Sequence, residues 1–159
     1  MGGYQNTAVG ASALNGNTTG FQNTGAGYSS AELNTTGSQN TAVGAYSFGN
    51  NTTGARNTAM GYLALAGNPT GADNVAIGDH ALHCFAAGSS NTVIGRFAFC
   101  DLSNGNRNDA FGYESGGYID KGSSNILIGS GSFQNCFNVD ADSNVFLGKF
   151  NGNCGAGAS

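Results

Sequence analysis

Asn6-Thr7-Ala8-Val9-Gly10-Ala11-Ser12-Ala13-Leu14-Asn15-Gly16-Asn17-Thr18-Thr19-Gly20-Phe21-Gln22 is followed by a near copy from Asn23 and another from Asn40. The opening asparagine returns every seventeen residues, at Asn6, Asn23, Asn40, Asn57, Asn74, Asn91, Asn108 and Asn125, and a ninth copy starts two residues late at Asn144. Four residues after each stands a glycine: Gly10, Gly27, Gly44, Gly61, Gly78, Gly95, Gly112, Gly129 and Gly148. A second glycine row runs from Gly3 and Gly20 through Gly37, Gly54, Gly71, Gly88, Gly105 and Gly122. A period this short does not hold a helical hairpin. It suits two short strands and two corners, one coil of a parallel β-solenoid. Glycine and asparagine tolerate positive φ and belong at the corners. Asparagines stacked one strand spacing apart can bond amide to amide, so the nine form an expected structural ladder.

The other rows are apolar. Val9, Ala26, Val43, Met60, Ile77, Ile94, Phe111, Ile128 and Leu147 are expected to form the core row. Their neighbours Ala8, Gly25, Ala42, Ala59, Ala76, Val93, Ala110, Leu127 and Phe146 then face the other way, since strand neighbours alternate. A second strand is expected to carry a small row, Ala13 to Ser132, beside a large row, Leu14 to Phe133. A strand apolar on both faces needs a second cover. Chains packing along their length, three around one axis, supply it. A monomer with an exposed alanine face is the plainer alternative.

Composition supports a packed chain. There are 159 residues with 28 glycines, six tyrosines, ten phenylalanines, one proline (Pro69) and 9% charged residues. Disorder needs more charge and fewer aromatics. Five scattered basic residues and a net charge of −4 argue against nucleic acid, and no apolar run reaches membrane-spanning length. The chain reads as one solenoid domain over 1–159. Its regular coils cover 3–72, its diversified coils 73–136, and an irregular last coil and tail 137–159. In the diversified part Phe85, Leu102 and Ile119 replace the turn asparagine, opening an extra apolar row. The stretch Phe137–Asn144 is the expected irregular loop and a place for specificity.

The Asn-Thr-Ala-Val-Gly strand followed by an Ala/Leu segment resembles the head repeats of trimeric autotransporter adhesins. The whole repeat, with its Asn-Thr-Thr-Gly turn, resembles tail-fibre-like and surface-fibre proteins, many of which carry a self-cleaving chaperone domain. The likeness runs from Gly3 to about Gly148. It implies a left-handed parallel β-roll of nine coils, intertwined as a homotrimer, at a cell or virion surface. It implies a structural or adhesive fibre segment meeting a cell-surface receptor or glycan, with no enzyme activity, cofactor or membrane insertion. Adhesin-head repeats are usually shorter, so each coil here has a longer outer turn. Chaperone domain, stalk and anchor are absent from the sequence, which places attachment outside it.

Chemical signals are sparse. Cys84 and Cys100 lie 16 apart and Cys136 and Cys154 lie 18 apart, each one residue from a full coil. Each pair would sit on adjacent coils within disulfide reach; four free thiols are the alternative. His80, His83 and Cys84 lack the second half of a zinc site, and a polar rim is expected. Asp140, Asp142 and Asn144 match the start of a calcium loop but lack its glycine and glutamate, so an acidic turn is expected. No catalytic or metal residue is assigned. Asn17, Asn34, Asn50 and Asn51 open N-x-Thr sequons. Tyr28, Tyr62 and Tyr113 recur after the first glycine as a stacking row for sugars or as corner packing. The pairs Thr18-Thr19, Thr35-Thr36 and Thr52-Thr53 would suit an ice-binding array, but they fade after three coils.

Overall fold

A computed structural model of the chain describes residues 3–68, 70–117, 119–132 and 142–149. Nine three-residue strands follow one another: β1 (Thr7–Val9), β2 (Thr24–Ala26), β3 (Thr41–Val43), β4 (Thr58–Met60), β5 (Val75–Ile77), β6 (Thr92–Ile94), β7 (Asp109–Phe111), β8 (Ile126–Ile128) and β9 (Val145–Leu147). They form one parallel sheet in chain order, β1 to β9. Thr7 pairs with Thr24 and Thr24 with Thr41, one period apart, while β8 to β9 absorbs the two late residues by pairing Ile126 with Val145. The chain is therefore an all-β solenoid of about eight turns, and β1 and β9 lie roughly 40 Å apart at the usual strand spacing. Each inner strand has both partners in its own chain, so the sheet can take a foreign strand only at its ends.

Among the described residues the expected second strand is not there. The segment after each first glycine is a turn that alternates into the left-handed region. Examples are Ser12 (φ 60) with Leu14 (φ 53), Tyr46 (φ 56) with Phe48 (φ 53), and Phe97 (φ 57) with Phe99 (φ 44). Isolated left-handed residues of this kind are strained. Here inter-coil hydrogen bonds hold them: Leu14 N donates to Ser30 O at 3.0 Å and Phe48 N to Ala64 O at 2.9 Å. The bonding ladder thus runs on through the turn without extended backbone.

The inside and outside of the sheet are also the reverse of the expectation. Ala42, Ala59, Ala76, Val93, Ala110 and Leu127 are fully buried, whereas Val9, Met60, Ile94, Phe111, Ile128 and Leu147 are exposed. The reason is the opposite wall. Phe48, Leu65, Leu82 and Phe99 reach across from the turn and fill the coil, leaving room for only alanine beneath β3, β4 and β5, while Val93 and Leu127 fill the same row further on. The fit is tight enough that a Cβ added to Gly25 would lie 3.1 Å from Leu14 Cγ. The small row of the turn (Ser30, Ser47, Ala64, Ala81, Ala98, Ser115) is buried as well. Its hydroxyls find partners, within the turn for Ser47 Oγ, which donates to Gly44 O at 2.9 Å, and further off for Ser115 Oγ, which lies 3.1 Å from Leu127 O.

The asparagines form the ladder. Asn40 N donates to Asn23 Oδ1 at 2.9 Å, and the bond repeats up to Asn144 N on Asn125 Oδ1 at 3.1 Å. Each Nδ2 from Asn6 to Asn108 also donates to a second-row glycine carbonyl fourteen residues on, as Asn23 does to Gly37 at 2.8 Å. A second ladder of Asn17, Asn34 and Asn51 stands on the other side of that glycine row, with Asn34 Nδ2 on Asn17 Oδ1 at 2.8 Å. It ends at Asn68, whose buried Nδ2 has no partner. Phe85, Leu102 and Ile119 take over the same place and are fully buried. The extra apolar row is therefore an inward core, not an outward patch.

Candidate functional site

The outer face of the sheet carries a row of exposed apolar side chains. Alternation along each strand turns its first and third residues outward. The first column is Thr7, Thr24, Thr41, Thr58, Val75, Thr92, Asp109, Ile126 and Val145. The second is Val9, Ala26, Val43, Met60, Ile77, Ile94, Phe111, Ile128 and Leu147. Asp109 is the one charge in either column. Toward β8 and β9 both columns become aliphatic, with Ile126 at 38% and Leu147 at 73% exposure. The second column is apolar on every strand, and such a column along a whole sheet is what an interface uses, because water gains on losing contact with it.

A second strip lies on the turn side. Tyr28, Tyr46, Tyr62, His80 and Phe97 form a ring series over successive coils, with centroids 5.2, 6.2, 5.4 and 5.1 Å apart. The series zigzags between two sequence rows, so reading one row could not find it: Tyr46 fills the place that Ala45 leaves open. Tyr28, Tyr46 and Tyr62 are half exposed, and burial followed by the neighbouring Tyr28 pushes the Tyr46 hydroxyl above its ordinary range. Arg96 lies 4.5 Å over the Phe97 ring. Tyr113, three coils beyond Tyr62 in the row of Tyr28 and Tyr62, is also exposed. Tyr4 and Phe21 stack separately at 5.1 Å.

Two shallow clefts lie in the C-terminal half. One, of about 270 Å³, is lined by Asn104, Gly105, Lys121, Gly122, Ser123 and Asp142. The other, of about 250 Å³, is lined by Phe97, Cys100, Asp101, Glu114 and Gly117. Asp142 has a structural task here: its Oδ1 accepts the Ser123 N–H at 2.7 Å. Ser38, Ser89, Asn106 and Ser123 do the same for the coil before them, as Asn106 Oδ1 does for Ser89 N at 2.8 Å. Asp140, Cys136 and Cys154 lie outside the described residues. So does the Phe137–Ala141 part of the expected loop.

Cys84 and Cys100 are free thiols on neighbouring coils, and Cys84 N donates to Cys100 O at 3.0 Å. Among the described residues no group of three or more His, Cys, Asp or Glu is placed to hold a metal ion. His80 and His83 instead pack against each other with tilted rings, centroids 4.9 Å apart, and His80 Nδ1 pairs with Asp79. Asn34 and Asn51 are fully buried, which closes those two sequons to glycosylation in the folded chain. Thr18 and Thr35 spend their hydroxyls on the carbonyls of Thr35 and Thr52, both at 2.8 Å, so they do not form a free outward array. No described helix is long and apolar enough to cross a membrane. Comparison of the chain with known protein families, characterised proteins and solved structures finds no match.

Proposed function

We propose that this chain is a rigid, non-enzymatic fibre segment that assembles side by side with two further copies at a cell or virion surface. The supporting observation is the outer column from Val9 to Leu147, apolar on all nine strands and flanked by a column that is mostly threonine. Copies related by rotation carry the same coil spacing, so every rung of one meets the same rung of the next. Because the inner strands are paired within their chain, assembly proceeds by face packing rather than by strand exchange. Light scattering should give three times the chain mass. Met60→Arg with Ile94→Arg should leave a folded monomer, since an unpaired charge then faces the partner. A wild-type chain that stays monomeric at micromolar concentration overturns the reading.

A second reading rests on the ring series. Tyr28, Tyr46 and Tyr62 offer apolar faces and hydroxyl tips on a rigid wall, which suits a glycan chain lying along the rod. A glycan array on the intact assembly, repeated with Tyr46→Ala and Tyr62→Ala, tests it. Binding that survives both substitutions removes the strip from consideration.

A further inference from the structure

We propose that Cys84 and Cys100 are a paired redox site: Cys84 takes an external disulfide of the glutathione class, and Cys100 resolves it into a bond joining two coils. The geometry is specific. The two residues share a backbone hydrogen bond of 3.0 Å, Cys84 N to Cys100 O. That bond between neighbouring coils holds their Cα atoms within the roughly 4.4–6.8 Å that a disulfide spans. The thiols differ in access. Cys84 is exposed, and its Sγ lies 3.5 Å from Nδ1 of His83. Cys100 is half-buried, and its S–H points at Gly117 O at 3.5 Å, toward the coil beyond. Side-chain rotation of Cys100 away from that weak hydrogen bond is the motion the pairing requires, and it is fast on the scale of thiol exchange.

The order of events follows. Burial, then the charge of His80, holds His83 below its ordinary range against the opposing Asp101, while burial and Asp101 raise the Cys84 thiol; the small thiolate fraction forms by handing the Cys84 proton to the adjacent Nδ1 of His83. The Cys84 thiolate attacks one sulfur of the small disulfide, forms a mixed disulfide and expels one thiolate. That thiolate takes up the proton held by His83. Burial, then the charges of Asp101 and Cys84, pushes the Cys100 thiol up to about 11, so it does not compete for the external disulfide. Placed beside the mixed disulfide it attacks the Cys84 sulfur, and its proton leaves with the second small thiol. The two protein thiols lose two hydrogens in total, and the small disulfide is reduced to two thiols. His80, His83, Asp79, Asp101 and Glu114 are the titratable side chains around the pair.

The test uses the full chain in glutathione disulfide. Trypsin separates all four cysteines: Cys84 falls in peptide 57–96, Cys100 in 97–107, Cys136 in 122–149 and Cys154 in 150–159. Expected without reduction is peptide 57–96 linked to 97–107, with Tm raised by about 5 °C or more. In Cys100→Ser the glutathione adduct should accumulate on 57–96. Cys84 linked to Cys136 or Cys154 in either protein overturns the pairing, as does a wild-type adduct that never transfers to Cys100. His83→Gln should slow Cys84 alkylation by iodoacetamide at pH 7 severalfold while the final link still forms. An unchanged rate overturns the role given to His83.

Discussion

Asn57 Oδ1 accepts the backbone N–H of Asn74 at 3.0 Å, while Asn57 Nδ2 donates to Gly71 O at 2.8 Å, both inside the coil. One buried amide thereby satisfies a donor of the next coil and an acceptor of its own. Asn57→Ala strips both partners and leaves two buried polar groups unpaired. The expected loss is about 2–6 kcal/mol, from about 1–3 kcal/mol for each of the two groups, read as a shift in the urea unfolding midpoint. Asn57→Asp should be no milder, because a carboxylate cannot donate to Gly71 O. An Asp variant as stable as the parent would refute the ladder.

Ala59 and Met60 are strand neighbours with opposite fates: the first is fully buried and the second is 40% exposed. Ala59→Leu should cost about 1–3 kcal/mol by overpacking, and Ala59→Arg should prevent folding of the single chain rather than its assembly. Met60→Ala should leave the unfolding midpoint of a dilute sample within about 0.5 kcal/mol of the parent. Phe99→Ala on the facing wall should cost about 3–5 kcal/mol. Equal effects at Ala59 and Met60 would mean that the sheet is covered on both faces.

Gly61 has φ +136, and a Cβ built there would lie 2.5 Å from Gly78 O of the next coil. Gly61→Ala is expected to destabilise by about 1–3 kcal/mol or more, from strained backbone and forced separation of the coils. Gly117 makes a control, since its added Cβ meets nothing closer than 3.5 Å. Gly117→Ala should be close to neutral by thermal melting.

Stability should fall toward both acid and alkali. In the folded chain His83 lies below the ordinary imidazole value of 6.5, chiefly through burial. As pH drops through 6.5 the unfolded chain takes a proton that the folded chain refuses, so stability declines. His83→Gln should flatten that limb. Cys100 is raised from 9.0 to about 11, so between those values the unfolded thiol ionises first and stability declines again. Cys100→Ser should reduce the alkaline slope. Urea midpoints from pH 5 to 10.5 measure both limbs.

The period, the parallel register, the positions of the strands and both glycine rows were legible in the sequence. Each repeats a residue whose backbone or amide chemistry admits little else. Gly10 sits at φ +127, and Asn23 sits where an amide must both accept and donate. The form of the second segment was not legible. An alternating small and large pair such as Ser47-Phe48 reads as a strand, yet Tyr46 and Phe48 are left-handed because inter-coil hydrogen bonds outweigh their local preference. Nor was the inward face of the strand. Thr-Ala-Val alternates the same way whichever side meets water, and alternation alone does not mark the buried side. Tertiary structure decided it through volume: Phe48, Leu65, Leu82 and Phe99 enter from the opposite wall, so Ala42, Ala59 and Ala76 fit beneath the strand where larger groups do not, and of the buried row only Val93 and Leu127 further on exceed them. The larger Val43, Met60 and Ile94 are turned outward, where they make the band proposed to hold the fibre together. The ring series of Tyr28, Tyr46, Tyr62, His80 and Phe97 was hidden for a related reason. Its members come from two rows and meet only once the coils are stacked.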